Sequence, residues 1–263
     1  MGVTAGLLGI LLAAGSTSPE GLLNRGVQLA REGRCPEATG LLRQAARLAP
    51  DLAEAHHDLG VVLAQQGRQE EAIEALQRAL ALAPDRAETW QALGLSLLSA
   101  GRHADAAEAY ARSLRLSPDD AMAHYNRGVA LEKLDRVQEA LQEYERSVEL
   151  RPGLPEALGA LGALWIRQGR YGEAAEACRQ AIRIRPGFAE AHYHRAVALA
   201  GLGRYAEAVE CCREALRLKP DFVEARKMLV EALRRLWPRP APEREARPTI
   251  TATSGSRRCR SHG

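Results

Sequence analysis

Cys211 and Cys212 stand side by side in "YAEAVECCREALRLKPDF", residues 205–222, and adjacent thiols suggest metal ligation or thiol–disulfide exchange. Both chemistries need partners. Successive side chains on a helix point about 100° apart, so the two cysteines cannot jointly face one ion. No Cys-x-x-Cys and no His/Cys cluster supplies further ligands. Cysteines number 5, an odd count, and Cys35 and Cys259 have no recurring partner, which argues against a disulfide framework. No nucleophile, base or metal constellation emerges from the histidines, acids and hydroxyls. The sequence thus predicts a non-catalytic chain without cofactor or metal.

The elements that carry these residues are legible from composition and period. Hydrophobic residues make up 46% of 263, aromatics only 4%, and alanine and leucine dominate, so the core is built from small and aliphatic side chains of high helix propensity. Prolines recur at Pro50, Pro84, Pro118, Pro152, Pro186 and Pro220, always 34 residues apart. A period of this size marks stacked helical units. Counting units over 19–52, 53–86, 87–120, 121–154, 155–188 and 189–222 places Gly26, Gly60, Gly94, Gly128, Gly162 and Ala196 at an eighth slot. The twentieth slot is Ala38 and its equivalents throughout, and the twenty-seventh is Ala or Ser. Tiny side chains at these slots let two helices approach closely. Cys212 falls at the twenty-fourth slot, where other units have Leu42, Leu76, Tyr110, Tyr144 and Cys178, which makes it a core residue.

In the third unit Trp90, Leu93, Gly94 and Leu97 lie at helical spacing, followed by Ala106, Tyr110 and Pro118. This pattern resembles the tetratricopeptide repeat, and the resemblance runs over residues 19–222 without a gap. It implies an all-α fold, an α-solenoid in which six helix-turn-helix repeats wind into a right-handed superhelix. Gly67, Gly101, Gly169 and Gly203, with Asp135 in the fourth unit, are expected to end each first helix in a left-handed conformation. Asp51, Asp85 and Asp221 are expected to cap the following helices, with Glu54, Glu88 and Glu224 completing capping boxes. Residues 223–237 read as a capping helix with Leu229, Leu233 and Leu236 facing the last unit and charges outward.

The ends differ from the body. Residues 1–18 hold an apolar run, Val3 to Ala14, that suits a signal-peptide core or a helical cap on the first unit, and is too short to span a bilayer. No basic residue precedes it, so cytoplasmic and exported (periplasmic) locations both stand open. Residues 238–263 form a basic, Pro- and Ser-rich tail of disordered character. Residues 223–263 carry 10 Lys+Arg against 4 Asp+Glu, leaving the first 222 residues with 26 against 29. A near-neutral body disfavours nucleic acid as partner, and a membrane surface is reachable only through the termini.

Stacked pairs with a constant rotation make a curved array whose inner wall is lined by the first helices. By resemblance, the fifth and ninth slots face that wall: His57, Gln91, Tyr125 and Tyr193, then Val61, Leu95, Val129 and Val197, with Asn126 at the neighbouring sixth slot. The second slot adds an acidic edge of Glu20, Glu54, Glu88, Glu156 and Glu190. The Lys and Asn with which some members clamp a C-terminal carboxylate are absent from the fifth and ninth slots, and the sixth-slot Asn ladder of others is only partial. The expected function is a protein-interaction scaffold or adaptor whose partner is a helix or extended apolar segment of another protein. The alternatives are an exported envelope-assembly factor using the same groove, and nucleic-acid or membrane-surface binding through the basic tail.

Overall fold

The computed structural model describes residues 18–237. The N-terminal apolar run, the basic tail and Cys259 lie outside the described residues. Within them the chain is an all-α solenoid of thirteen helices with no strand. Unit by unit, the helix pairs are α1 Pro19–Arg31 and α2 Cys35–Leu48, α3 Ala53–Gln65 and α4 Gln69–Leu82, α5 Ala87–Ser99 and α6 His103–Leu116. Then come α7 Ala121–Lys133 and α8 Val137–Leu150, α9 Pro155–Arg167 and α10 Tyr171–Ile184, α11 Ala189–Gly201 and α12 Tyr205–Leu218, and finally α13 Val223–Leu236.

The turn between paired helices repeats because its chemistry repeats. Gly33, Gly67, Gly101, Gly169 and Gly203 have φ between 72 and 78°, and Asp135 has φ 57° in the fourth unit. After each, two backbone N–H groups return to the end of the first helix, as in Gly33 N to the Ala30 carbonyl and Arg34 N to the Leu29 carbonyl, which satisfies orphan carbonyls. The following arginine grips the acid three residues on, as in Arg34–Glu37, Arg102–Asp105 and Arg204–Glu207. These pairs are exposed and orient the turn more than they stabilise it.

The helix starts after each proline differ from expectation. Leu52, Arg86 and Phe222 occupy the N-cap positions without a side-chain cap, so Asp51, Asp85 and Asp221 stand one residue too early to cap. Side-chain caps occur instead at Asp120, which accepts from Met122 N and Ala123 N, and at Ser18. The junctions are held another way. The fourth-slot side chain of the next helix reaches back to the proline carbonyl: His56 to Pro50 at 3.1 Å, Trp90 to Pro84 at 2.8 Å, His124 to Pro118 at 3.0 Å, His192 to Pro186 at 3.0 Å and Arg226 to Pro220 at 2.7 Å. The repeating proline therefore offers an acceptor as well as a stop.

Packing follows the small slots. The alanines of the twentieth slot and the Ala or Ser of the twenty-seventh are all but completely buried. A Cβ added to Gly26, Gly60, Gly128 or Gly162 would lie 2.4–2.7 Å from the twenty-fourth-slot side chain of the same unit. In the sixth unit Ala196 takes the place of the glycine and faces Cys212, whereas in the fifth Gly162 still faces Cys178. Successive first helices touch at most junctions, while second helices make no contact of comparable extent, so first helices line the inner side of the array.

Candidate functional site

The inner wall is built from the solvent side of α1, α3, α5, α7, α9 and α11. Its apolar floor is formed by the ninth-slot residues: Val61, Val129 and Val197 are half-buried, and Leu95 is 52% exposed. Exposing half of a leucine forgoes burial worth about 1 kcal/mol. Val61 and Leu95 come together, with Ala64, Ala92 and Ser96, around a hollow of about 280 Å³ between α3 and α5. Ser96 Oγ and Gln69 Oε1 at this hollow are buried with no hydrogen-bond partner among the described residues.

The fifth-slot residues sit one turn earlier on the same helices, and each is tied by a hydrogen bond or ring contact. His57 Nδ1 lies 2.9 Å from Thr89 Oγ1, and burial holds its pKa below the ordinary imidazole value. Gln91 donates from Nε2 to Asp120 Oδ2 at 2.8 Å, joining α5 to the cap of α7. Tyr125 is half-buried, with its ring 5.7 Å from that of Tyr144. Tyr193 packs 5.1 Å from Phe222 and 5.4 Å from His194. Burial raises both tyrosine pKa values, so each remains a neutral phenol. Asn126 is half-buried beside Tyr125. The nine residues therefore form an extended strip rather than one pocket, with Val61 and Leu95 converging and the tyrosines standing apart.

The acidic edge is largely neutralised. Glu54 pairs with Arg86 at 3.0 Å, Glu156 pairs with Arg185, and Glu190 pairs with Lys219 at 3.5 Å. These cations come from the proline junction that closes the same unit, close in space and about 30 residues away in sequence. Arg185 and Lys219 also lie over the rings of Phe188 and Phe222, at 4.6 and 5.1 Å. The sequence pattern missed these ties because the cations do not hold a constant slot.

The cysteines are core residues. Cys178, Cys211 and Cys212 are buried, and burial pushes the Cys178 and Cys212 thiols up to about 12. Among the described residues no group of three His, Cys, Asp or Glu is placed to hold a metal ion, and no helix is long and apolar enough to cross a membrane.

Helix pairs of constant length, stacked with an open inner wall, define the class: a repeat-built α-solenoid. Tetratricopeptide repeat models match residues 18–85, 92–155 and 189–222, and a further TPR repeat model matches 164–203. The chain belongs to the tetratricopeptide repeat family. Among solved structures it is similar to the MamA protein, with 28% identity over 64% of this chain and 92% of that one, TM-score 0.59. YrrB, described as a TPR protein with an unusual peptide-binding site, aligns at 23% identity over 71% of this chain and 96% of its own, TM-score 0.61. Pseudomonas aeruginosa pilF aligns at 20% identity over 81% and 97%, TM-score 0.72, and these last two likenesses speak for the fold. Among curated proteins no match is found.

Proposed function

We propose that this chain is a non-catalytic interaction scaffold, in which units 19–222, closed by the helix within 223–237, hold a helix or extended apolar segment of a partner protein along the inner wall. The observation that carries the reading is Leu95. A leucine left 52% exposed beside a hollow of about 280 Å³ is an anchor site awaiting an apolar side chain. His57, Val61, Gln91, Tyr125, Asn126, Val129, Tyr193 and Val197 complete the contact strip on either side. The phenols suit the role because a half-buried tyrosine offers a large apolar face and a polar tip at low conformational cost. Pairing of the acidic edge favours apolar over charge-led recognition. The peptide-binding site ascribed to YrrB, which shares the fold, supports a peptide or protein as the kind of partner.

The test is affinity capture with the full chain, compared with Leu95→Asp and with Tyr125→Ala/Tyr193→Ala, each checked for unchanged helicity. Proteins retained by the native chain and lost from both variants identify the partner. Undiminished retention by both would move the site off the inner wall.

A further inference from the structure

Helix α13 repeats the first-helix register one more time: Val223, Ala225, Val230 and Ala232 stand where the sixth unit has Ala189, Ala191, Ala196 and Ala198. In the complete units this register meets two neighbours. Its third and tenth slots, which meet the preceding unit, are buried from the second unit to the sixth, and in α13 they are Ala225 and Ala232, both fully buried. Its first and eighth slots are covered by the second helix of the same unit. Ser147 on α8 donates to the Ala121 carbonyl at 2.7 Å, and the eighth-slot glycines face twenty-fourth-slot side chains. No second helix follows α13 among the described residues, and the sequence of residues 238–248 contains Pro238, Pro240, Pro242 and Pro248. The two positions that a second helix covers elsewhere are here the exposed ones, Val223 at 49% and Val230 at 45%, with Trp237 at 67% beyond them. The outer face expected to be charged is therefore in part apolar.

Charge limits what can lie there. Arg226, Lys227 and Arg234 line the hollows over this face together with Val223, Val230 and Trp237, and no carboxylate does. Glu231 on the same helix is paired with Arg235, and Glu224 is exposed at the second slot. A second copy of this face would set arginine and lysine against arginine and lysine, and the basic residues 238–263 would do the same. The fourth unit shows what such a position takes. There Glu143, at the twenty-third slot of the second helix, binds His124 at the fourth slot and Arg127 at the seventh. Arg226 is the fourth-slot residue of α13.

We propose that the outer face of α13 is a second docking surface, which an acidic amphipathic helix of a partner protein occupies as the second helix of a seventh unit. Its carboxylate meets Arg226, and the next residue, against Val230, is small. Glycine faces leucine, tyrosine or cysteine in five units and alanine faces cysteine in the sixth, so valine leaves room for little more than alanine.

The probe is a fluorescein-labelled, lactam-locked helical peptide with the sequence of residues 137–150 and alanine replacing Tyr144, followed by fluorescence polarisation against the full chain. Binding is expected to weaken about tenfold or more with Val230→Asp and with Arg226→Glu, as for a central interface residue. A peptide carrying lysine in place of Glu143 is expected to restore binding to Arg226→Glu alone. Leu95→Asp, far from α13, is expected to leave this affinity unchanged, so the outcome is independent of the inner-wall reading. Lack of binding at millimolar peptide would overturn the proposal, as would equal affinity for native chain and Val230→Asp, or loss of binding in the Leu95→Asp chain. Concentration-dependent dimerisation in sedimentation velocity that Val230→Asp abolishes would assign the face to a second copy and also overturn it. Both substituted positions are exposed; should Val230→Asp unfold, the charge exchange at Arg226 decides alone.

Discussion

Gly94 on α5 and Tyr110 on α6 are in backbone-to-ring contact: a Cβ on Gly94 would lie 2.9 Å from both Cε2 and Cζ of the phenol. The ring is fully buried and has nowhere to retreat. Gly94→Leu is expected to lower stability by about 1 to 3 kcal/mol through overpacking. Gly40 offers the control, since it lies in α2 with nothing within 4 Å of its Cβ position. Gly40→Ala is expected to raise stability by about 0.5 to 1 kcal/mol by removing a helical glycine. Urea denaturation of both variants checks the pair; equal effects of one sign would contradict the packing.

His124 and Glu143 form a pH-dependent tie between α7 and α8. Burial draws the imidazole pKa down, but the hydrogen bond to Glu143 at 2.7 Å, the Pro118 carbonyl and the Glu143 charge together carry it above the ordinary value of 6.5. The folded chain therefore binds this proton more tightly than the unfolded chain. The stabilisation is complete below about pH 6.5 and fades as pH rises through the higher folded value. Glu143→Gln is expected to cost about 1 to 3 kcal/mol at pH 6. The penalty should shrink toward pH 9, and thermal melts across that range read it directly. A penalty independent of pH would show that Arg127, and not His124, carries the interaction.

The thiols differ in reactivity for a physical reason. The attacking species is the thiolate, and a pKa of about 12 at Cys178 and Cys212 leaves about one thiolate in ten thousand at pH 8. Cys35 is half-buried and donates only a weak bond to Gln65 at 3.7 Å. In a Cys259→Ser chain, Ellman's reagent is expected to titrate Cys35 in the native state and the other three thiols only after unfolding. Rapid native reaction at Cys211 and Cys212 would reopen a redox role for the pair.

Much of this was legible because it is local or strictly periodic. The glycine turns, the small-slot packing and the core position of Cys212 follow from residue type and a fixed period of 34. The helix starts were misread by one position, because Pro-Asp-x-x-Glu resembles a capping box while the backbone enters the helix a residue later, at Leu52, Arg86 and Phe222. The bond from each fourth-slot histidine to the preceding proline carbonyl spans a turn whose geometry a residue pattern does not encode. On the candidate site, the row of wall positions was readable, whereas the convergence of Val61 with Leu95 was not.

The sequence by itself determined that helices form in pairs, where each pair turns and which faces interlock, since propensity, glycine geometry and side-chain volume act within a single unit. Only the tertiary structure decided which wall residues are spent on ties, as with Gln91 to Asp120 and Glu54 to Arg86, and which apolar residues stay open, as with Leu95 on the wall and Val223 and Val230 on the outer face of α13. Those choices depend on the rotation between successive units. That rotation is the sum of many contacts between residues some thirty positions apart, and no single residue type encodes it.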